Sequence, residues 1–179
     1  FSYGEDNVVD FTKLNGIVGL FAPNASGKSA LLDALAFCLF DLSTRAVRAN
    51  DIINKSKTNM HCKLNFEIDG TDYFIEKRGK KNLRSGHVKV DIDFWMIDEN
   101  GDTTSLNGDQ RRTTQLNIRK VIGDFEDFIL TSMSSQNDST VFINKTQKER
   151  KELLSQFMGL KIFDRLWVQA SEDIRDVNA

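Results

Sequence analysis

Eight consecutive residues carry the clearest chemistry in the chain: Ala22-Pro23-Asn24-Ala25-Ser26-Gly27-Lys28-Ser29. A small residue, four others, then Gly-Lys-Ser is the relaxed form of a phosphate-binding loop. A triphosphate needs several donors converging on it and little bulk near the backbone. The loop N–H groups, Ala30 included, supply the donors, and the start of a following helix adds partial positive charge. Lys28 would reach the β and γ phosphates as a mobile cation, and the Ser29 hydroxyl would ligate Mg²⁺. Average residue usage would produce this pattern in a chain of this length only about once in a hundred. The stricter loop has Gly where this chain has Ala22 and Ala25. Ala22 falls within the tolerated pattern. A left-handed backbone at Ala25 would cost about 1 kcal/mol or more and lower affinity.

The loop needs a strand before it and a helix after it. Residues 16–21 (Ile17, Val18, Leu20 and Phe21) predict a short apolar strand, and residues 30–40 a helix apolar on almost every side. Upstream, residues 8–11 predict an edge strand after the turn residues Gly4, Asp6 and Asn7. Residues 41–59 are polar and aperiodic, a loop with a short helical turn near 51–53. Residues 62–68 alternate, with Cys62, Leu64, Phe66 and Ile68 opposite Lys63, Asn65 and Glu67, which predicts a half-buried strand. Asp69-Gly70 signals a hairpin and residues 71–77 the return. Residues 87–97 alternate again, with Val88, Val90, Ile92, Phe94 and Met96 on one face. Asn100-Gly101 signals a second hairpin. The fold class is therefore mixed α+β, with an antiparallel meander covered on one side.

Downstream, residues 110–122 predict a helix ending at Gly123, residues 125–131 a short helix, and residues 131–136 a small strand and its exit. Thr146-Gln147-Lys148-Glu149 is a capping box opening a helix that stops at Gly159. In residues 161–175, Ile162, Phe163, Leu166, Trp167, Ala170 and Ile174 keep spacings of three and four, as the start of a coiled coil does.

Length and composition suit one globular domain: 179 residues, 40% hydrophobic, 28% charged. A net charge of −2 gives no global basic field. Cys38 and Cys62 lack metal-ligand spacing, and Cys38 reads as a packed thiol. No signal peptide or membrane-length apolar run stands out, so an intracellular protein is expected. The chain opens on Phe1, so a piece or processed form of a longer protein is expected.

Two further signals compete for a role. Residues 94–99, Phe-Trp-Met-Ile-Asp-Glu, mimic a Walker B strand, in which Asp98 would hold Mg²⁺ and Glu99 would orient water. That would make a stand-alone NTPase. Against this, Lys89, Asp91 and Asp93 mark a strand wetted on one face, whereas a Walker B strand is buried on both. The second signal is a basic run: Lys77, Arg78, Lys80, Lys81, Arg84, His87 and Lys89. It is either a solvated hairpin tip or a contact for the phosphate backbone of duplex DNA. Nearby Tyr73, Phe74, Phe94 and Trp95 read as core. His61 and His87 have no partner at metal or triad spacing.

The order of these features resembles the N-terminal half of the head of SMC-like DNA double-strand-break repair ATPases, the SbcC type and its archaeal, eukaryotic and phage counterparts. The resemblance rests on the loop Asn24 to Ser29, Ala30-Leu31-Leu32-Asp33-Ala34-Leu35, and Phe66-Glu67 with Asp69-Gly70 and Tyr73. It continues through Gln136 and Glu149-Arg150-Lys151, Leu153-Leu154, Gly159-Leu160 and Phe163. It implies an ABC-type head lobe over residues 1–158, with the P-loop at 22–29 and a Q-loop near 136, and a coiled-coil start over 159–179. Lys28 would grip the phosphates, Ser29 would hold Mg²⁺, and Gln136 would reach Mg²⁺ and the attacking water. Ile53, Asn54 and Lys55 would lie by the base or ribose. The family's basic residue just after its first Phe would fall at Ser2, a departure from the family pattern at that contact.

The resemblance further implies ATP and Mg²⁺ as cofactors and a C-terminal half that supplies the remaining catalytic motifs. Two heads would sandwich ATP as a homodimer, an SbcD-type nuclease would dock near the coil base, and double-stranded DNA would be the substrate. It places the protein in the cytoplasm or nucleoid, or in a nucleus. This chain alone would bind nucleotide poorly and hydrolyse almost none. A non-catalytic interaction module with a silent loop is the remaining alternative.

Overall fold

A computed structural model describes residues 3–5, 7–42, 52–132, 143 and 145–177. The chain divides into two compact units, Phe1–Phe125 and Glu126–Ala179.

The first unit is built on a four-stranded antiparallel sheet in the order β1-β2-β3-β4. β1 is Asn59–Ile68, β2 Thr71–Lys81, β3 Val88–Ile97 and β4 Thr103–Ser105. The alternation of residues 62–68 sets the burial of β1, where every second residue is sheltered. One-residue slippage would turn that apolar row to water, so the register is strongly specified. Leu64 pairs with Ile75 and Phe66 with Tyr73, while Ile75 pairs with Phe94. The β1–β2 turn places Asp69 and Gly70 at φ 50° and 77°, the two positive angles a two-residue hairpin of this kind needs. Rings of Phe66, Tyr73 and Phe94 stack in series on the inner face, with centroids 5.5 and 6.1 Å apart.

Helix α1, Lys28–Phe40, covers that face. Its apolar composition follows from its position: Ala36, Phe37, Cys38, Leu39 and Phe40 are all buried. Phe37 packs with Ile52 and Val90, and Met60 and Val88 border the cluster. Helix α2, Arg111–Ile122, buries Thr114, Gln115 and Ile118 and ends at Gly123, whose φ is 83°. Helix α3 is Phe125–Thr131.

Lys77, at the centre of β2, is completely buried. Its Nζ donates to the Phe37 carbonyl at 2.8 Å, to Asp41 Oδ1 at 2.6 Å and to Gln115 Oε1 at 3.2 Å. Asp41 closes α1 in a left-handed conformation, and its second oxygen accepts from Arg111 at 2.7 Å. Gln115 Nε2 returns a 2.6 Å bond to the Leu39 carbonyl. Two of the last carbonyls of α1, those of Phe37 and Leu39, thus accept from side chains of β2 and α2, tying helix to sheet.

Two expected strands do not form ladders. Residues 16–21 form no strand: the chain bends at Gly16 and Ile17, and Ile17, Val18, Leu20 and Phe21 are exposed. Residues 8–10 are also without regular structure and exposed, and Phe11–Lys13 turns into a short 3₁₀ helix that Asp10 caps. Apolar composition gave these segments the propensity for a strand. A ladder also needs a partner, and among the described residues the sheet contains only β1–β4.

In the second unit, helix α4 is Gln147–Phe157 and helix α5 is Lys161–Val177. The capping box forms as expected. Thr146 N–H donates to Glu149 Oε2 at 2.7 Å, and Glu149 N–H donates to Thr146 Oγ1 at 3.3 Å. Gly159, at φ 66°, lies between the two helices. Ile162, Phe163, Leu166, Trp167 and Ile174 of α5 are exposed. The small strand expected at 131–136 lies mostly outside the described residues, although Thr131 ends α3.

Candidate nucleotide-binding site

The loop of residues 22–29 sits on the N-terminus of α1. Gly27 is the N-cap residue, with φ 96° and ψ 11°, and no side chain caps the helix start. The first turn also contains no acidic residue. The amides at that end are therefore left for an anion, with the helix dipole behind them. Ser29 is exposed at this end, and Ala30, next along, is buried.

Ala25 adopts φ 62°. That is the left-handed conformation whose penalty the sequence raised at this position, and only glycine takes it freely. Ser26 N–H donates to the Pro23 carbonyl at 3.3 Å, closing the turn. Lys28 curls back over its own loop. Its Nζ donates to the carbonyls of Ala22 and Pro23, the latter at 2.7 Å. These are replaceable partners, because an ammonium on a flexible stem can exchange carbonyl oxygens for phosphate oxygens. Asn24 lies at the exposed tip.

Two contacts brace the loop from outside. The Tyr3 hydroxyl donates to the Gly27 carbonyl at 2.8 Å. Asn54 Nδ2 donates to the Tyr3 carbonyl at 3.0 Å. Asn54 Oδ1 accepts from the N–H and hydroxyl of Ser56. Both polar ends of Asn54 are thus engaged within the protein. Ile53 is a core residue, and Lys55 is exposed. Of the three residues expected near the base or ribose, Asn54 braces Tyr3 and Ile53 packs in the core. Tyr3 had no sequence signal, since its role depends on a contact 24 positions along the chain. Gln136 and Ser2 lie outside the described residues.

Asp98 and Glu99 do not form a Walker B pair. β3 is antiparallel to both its neighbours, and Asp98 opens the turn into β4. Its Oδ1 accepts from the N–H groups of Asn100 and Asp102, both at 2.9 Å. Those bonds hold its carboxyl below the usual range. The acid is explained by the turn it closes.

The basic run divides. Lys77 is a core cation and leaves the run. Arg78 is paired with Glu76 at 2.6 Å and Asp93 at 3.1 Å, and Lys89 with Asp91 at 2.8 Å. Lys80 and Arg84 are exposed and Lys81 half-buried at the β2–β3 tip, where Asn82 Oδ1 orders the turn by accepting from Arg84 and Ser85 N–H. Lys80 faces Lys89 directly across the strands, an arrangement of like charges that an anion would relieve. Phe94 lies in the core as expected, and half-buried Tyr73 stacks against it. Phe74 and Trp95 stack on the opposite face at 5.3 Å, with Lys63 Nζ over both rings.

Among the described residues, no group of three His, Cys, Asp or Glu side chains could hold a metal. A Mg²⁺ ion carried by a triphosphate takes much of its coordination from phosphate oxygens and water, with few protein ligands, and Ser29 at the helix start fits the hydroxyl among them. Among the described residues, no helix is long and apolar enough to cross a membrane.

A glycine-ended loop on an uncapped helix, joined to an antiparallel meander, defines a P-loop NTPase fold of mixed α+β type. The AAA domain family model matches residues 1–176, and the chain belongs to that family. It is 39% identical over 182 residues to uncharacterized protein R555 of Acanthamoeba polyphaga mimivirus, covering 98% of this chain and 13% of that protein. It is 26% identical to the SbcC component of the nuclease SbcCD of Deinococcus radiodurans, over 94% of this chain and 18% of the relative. It is 28% identical to the DNA double-strand break repair Rad50 ATPase of Thermoplasma volcanium, over 99% and 19%. A chain solved in work on ATP-driven dimerization and DNA-stimulated activation of SMC ATPases is 25% identical, with a TM-score of 0.51, covering 79% of this chain and 84% of that one. The chain thus spans less than a fifth of the length of the first three relatives.

Proposed function

We propose that this chain is the ATP-binding half of a DNA-repair ATPase head, which clamps DNA when ATP joins two heads and which works with a nuclease partner in double-strand-break processing. The observation that carries the reading is the uncapped start of α1, with Lys28 and Ser29 at its first turn and Gly27 turned left-handed beneath the loop. Lys28 leaves the Ala22 and Pro23 carbonyls and takes the phosphates. Ser29 takes Mg²⁺, and Gln136 reaches the metal and the attacking water. Asp98 and Glu99 serve their turn and take no part.

Three features support a head completed from elsewhere. The exposed apolar segment 16–21 has the composition of a central strand that lacks neighbours. The exposed stripe of α5 has the spacing of a coiled-coil seam, and an SbcD-type nuclease would dock near its base. The relatives are named for the nuclease SbcCD and for break repair. Residues 1–158 would form the lobe and 159–179 the coil start. Lys80, Lys81 and Arg84, with Arg78 and Lys89 beside them, would meet duplex phosphates without reading sequence. The protein would work inside the cell, in cytoplasm, nucleoid or nucleus.

The test is reconstitution. Mixing this chain with the C-terminal half of the same polypeptide should restore Mg-ATP hydrolysis that neither piece shows alone, with stimulation by duplex DNA. Steady turnover by this chain alone would reject the divided-site reading.

A further inference from the structure

Cys38 and Cys62 are far apart in sequence and meet where α1 lies on β1. The Cys62 Sγ–H reaches the Ala34 carbonyl of α1 at 3.8 Å, one helical turn from Cys38. The Cys38 Sγ–H reaches the Ile75 carbonyl of β2 at 3.9 Å. Ile75 pairs with Leu64, two residues from Cys62 on the same face of β1. Each sulfur therefore reaches across the helix–sheet seam from the opposite side. Both are free thiols. Cys38 is sealed from solvent and Cys62 is half-buried, so a small reagent has access from the Cys62 side only.

We infer that Cys38 and Cys62 form a dithiol site that hydrogen peroxide oxidises to a disulfide, locking α1 to β1. Access assigns the order of attack, because Cys62 is half-buried and Cys38 is sealed. The hydrogen bond with Cys62 and burial push the Cys38 thiol well up, so it keeps its proton. The hydrogen bond from Cys38, against burial and aided by the buried Lys77 ammonium, brings Cys62 down. Cys62 is the sulfur a reagent reaches, so it reacts first, as the thiolate. Its sulfur attacks one peroxide oxygen. The S–O bond forms, the O–O bond breaks, and the leaving hydroxide departs as water with the proton that Cys62 gave up on ionising. The product is a sulfenic acid. The Cys38 sulfur then attacks the Cys62 sulfur. The S–S bond forms, the S–O bond breaks, and a second water leaves with the Cys38 proton. Two thiols are oxidised by two electrons and one peroxide is reduced to two waters. Thiol reductants reverse the bond by exchange. Cross-linking joins the helix that starts at Lys28 to the strand beneath it. The dithiol depends on packing alone and stands whether or not the loop binds nucleotide.

The test treats the chain with hydrogen peroxide, quenches with iodoacetamide in denaturant, and maps peptides without reduction. The expected product is a peptide joining Cys38 and Cys62, absent after dithiothreitol. In the oxidised chain, amide exchange across 28–40 should slow at least severalfold and recover on reduction. Cys38→Ser should halt at a Cys62 sulfenic acid that dimedone traps, and Cys62→Ser should leave Cys38 fully alkylated. Either of two results in the unsubstituted chain overturns the inference: both thiols alkylated after peroxide, or Cys62 trapped by dimedone with no cross-link. A cross-link with unchanged exchange in α1 overturns the lock.

Discussion

The hydroxyl of Tyr3 donates to the carbonyl of Gly27 across 2.8 Å, so the N-terminal segment holds the peptide that begins α1. In a trans peptide the carbonyl and the following N–H point in opposite directions. A carbonyl anchored to Tyr3 therefore aims the Lys28 N–H away from that segment, toward the concave side of the loop. Tyr3→Phe removes this anchor and little volume. Loss of one such bond is worth about 1 kcal/mol, so Mg-ATP affinity of the assembled head should fall about fivefold, with the ring still packed. Calorimetry checks this. Unchanged affinity would make the contact incidental.

Ala25 stands at φ 62° in the exposed loop. A methyl group there costs about 1 kcal/mol relative to a residue without one, and glycine returns part of that gain as unfolded-state entropy. Ala25→Gly should therefore raise stability by roughly 0.5 kcal/mol and tighten nucleotide binding. Urea midpoints measure the first and calorimetry the second. A lower midpoint would show that the loop gains more from restriction than it loses to strain.

Much of the sheet was legible because local patterns and tertiary burial agree. The alternation from Cys62 to Ile68, the Asp69-Gly70 hairpin and the Thr146–Glu149 box are each decided by residues a few positions apart. Three features escaped for one shared reason, which is that their meaning lies in distant partners. Residues 16–21 have strand composition but no ladder partner among the described residues. Lys77 reads as one charge of a basic run, yet its neighbours across α1 and α2 make it a core cation. Tyr3 touches the loop through Gly27 and is itself held by Asn54, two partners far along the chain. At the candidate site, the loop and its helix were plain from sequence, and its bracing was not.

The division of the basic run gives a direct contrast. Lys77→Met removes an ammonium from three acceptors and leaves Asp41 with Arg111 alone. Breaking a buried pair from one side costs about 3 kcal/mol or more, so the thermal midpoint should drop sharply. Lys80→Ala and Arg84→Ala should move stability by less than about 0.5 kcal/mol. Each should instead weaken duplex DNA binding and shallow its log–log salt slope by about 0.9. Equal stability losses in all three would erase the distinction between core and tip.

Acid stability should carry the signature of Glu76. Burial raises its carboxyl, but hydrogen bonds and charge from His61 and Arg78 outweigh burial and hold it below its ordinary 4.5. The folded chain then binds fewer protons than the unfolded chain just below that value. Its contribution is complete above 4.5, and it is lost as pH falls through the lower folded value. Glu76→Gln should flatten that part of the stability–pH curve and leave the neutral region parallel. An unchanged acid limb would place the loss on other carboxylates.

Titration calorimetry of Mg-ATP into the head assembled from both halves, with Lys28 or with Lys28→Ala, tests the central claim most directly. If a triphosphate seats on the start of α1 and draws Lys28 from the Ala22 and Pro23 carbonyls, the substitution abolishes the binding heat and turnover stops with it. Matching isotherms for the two proteins would contradict the account.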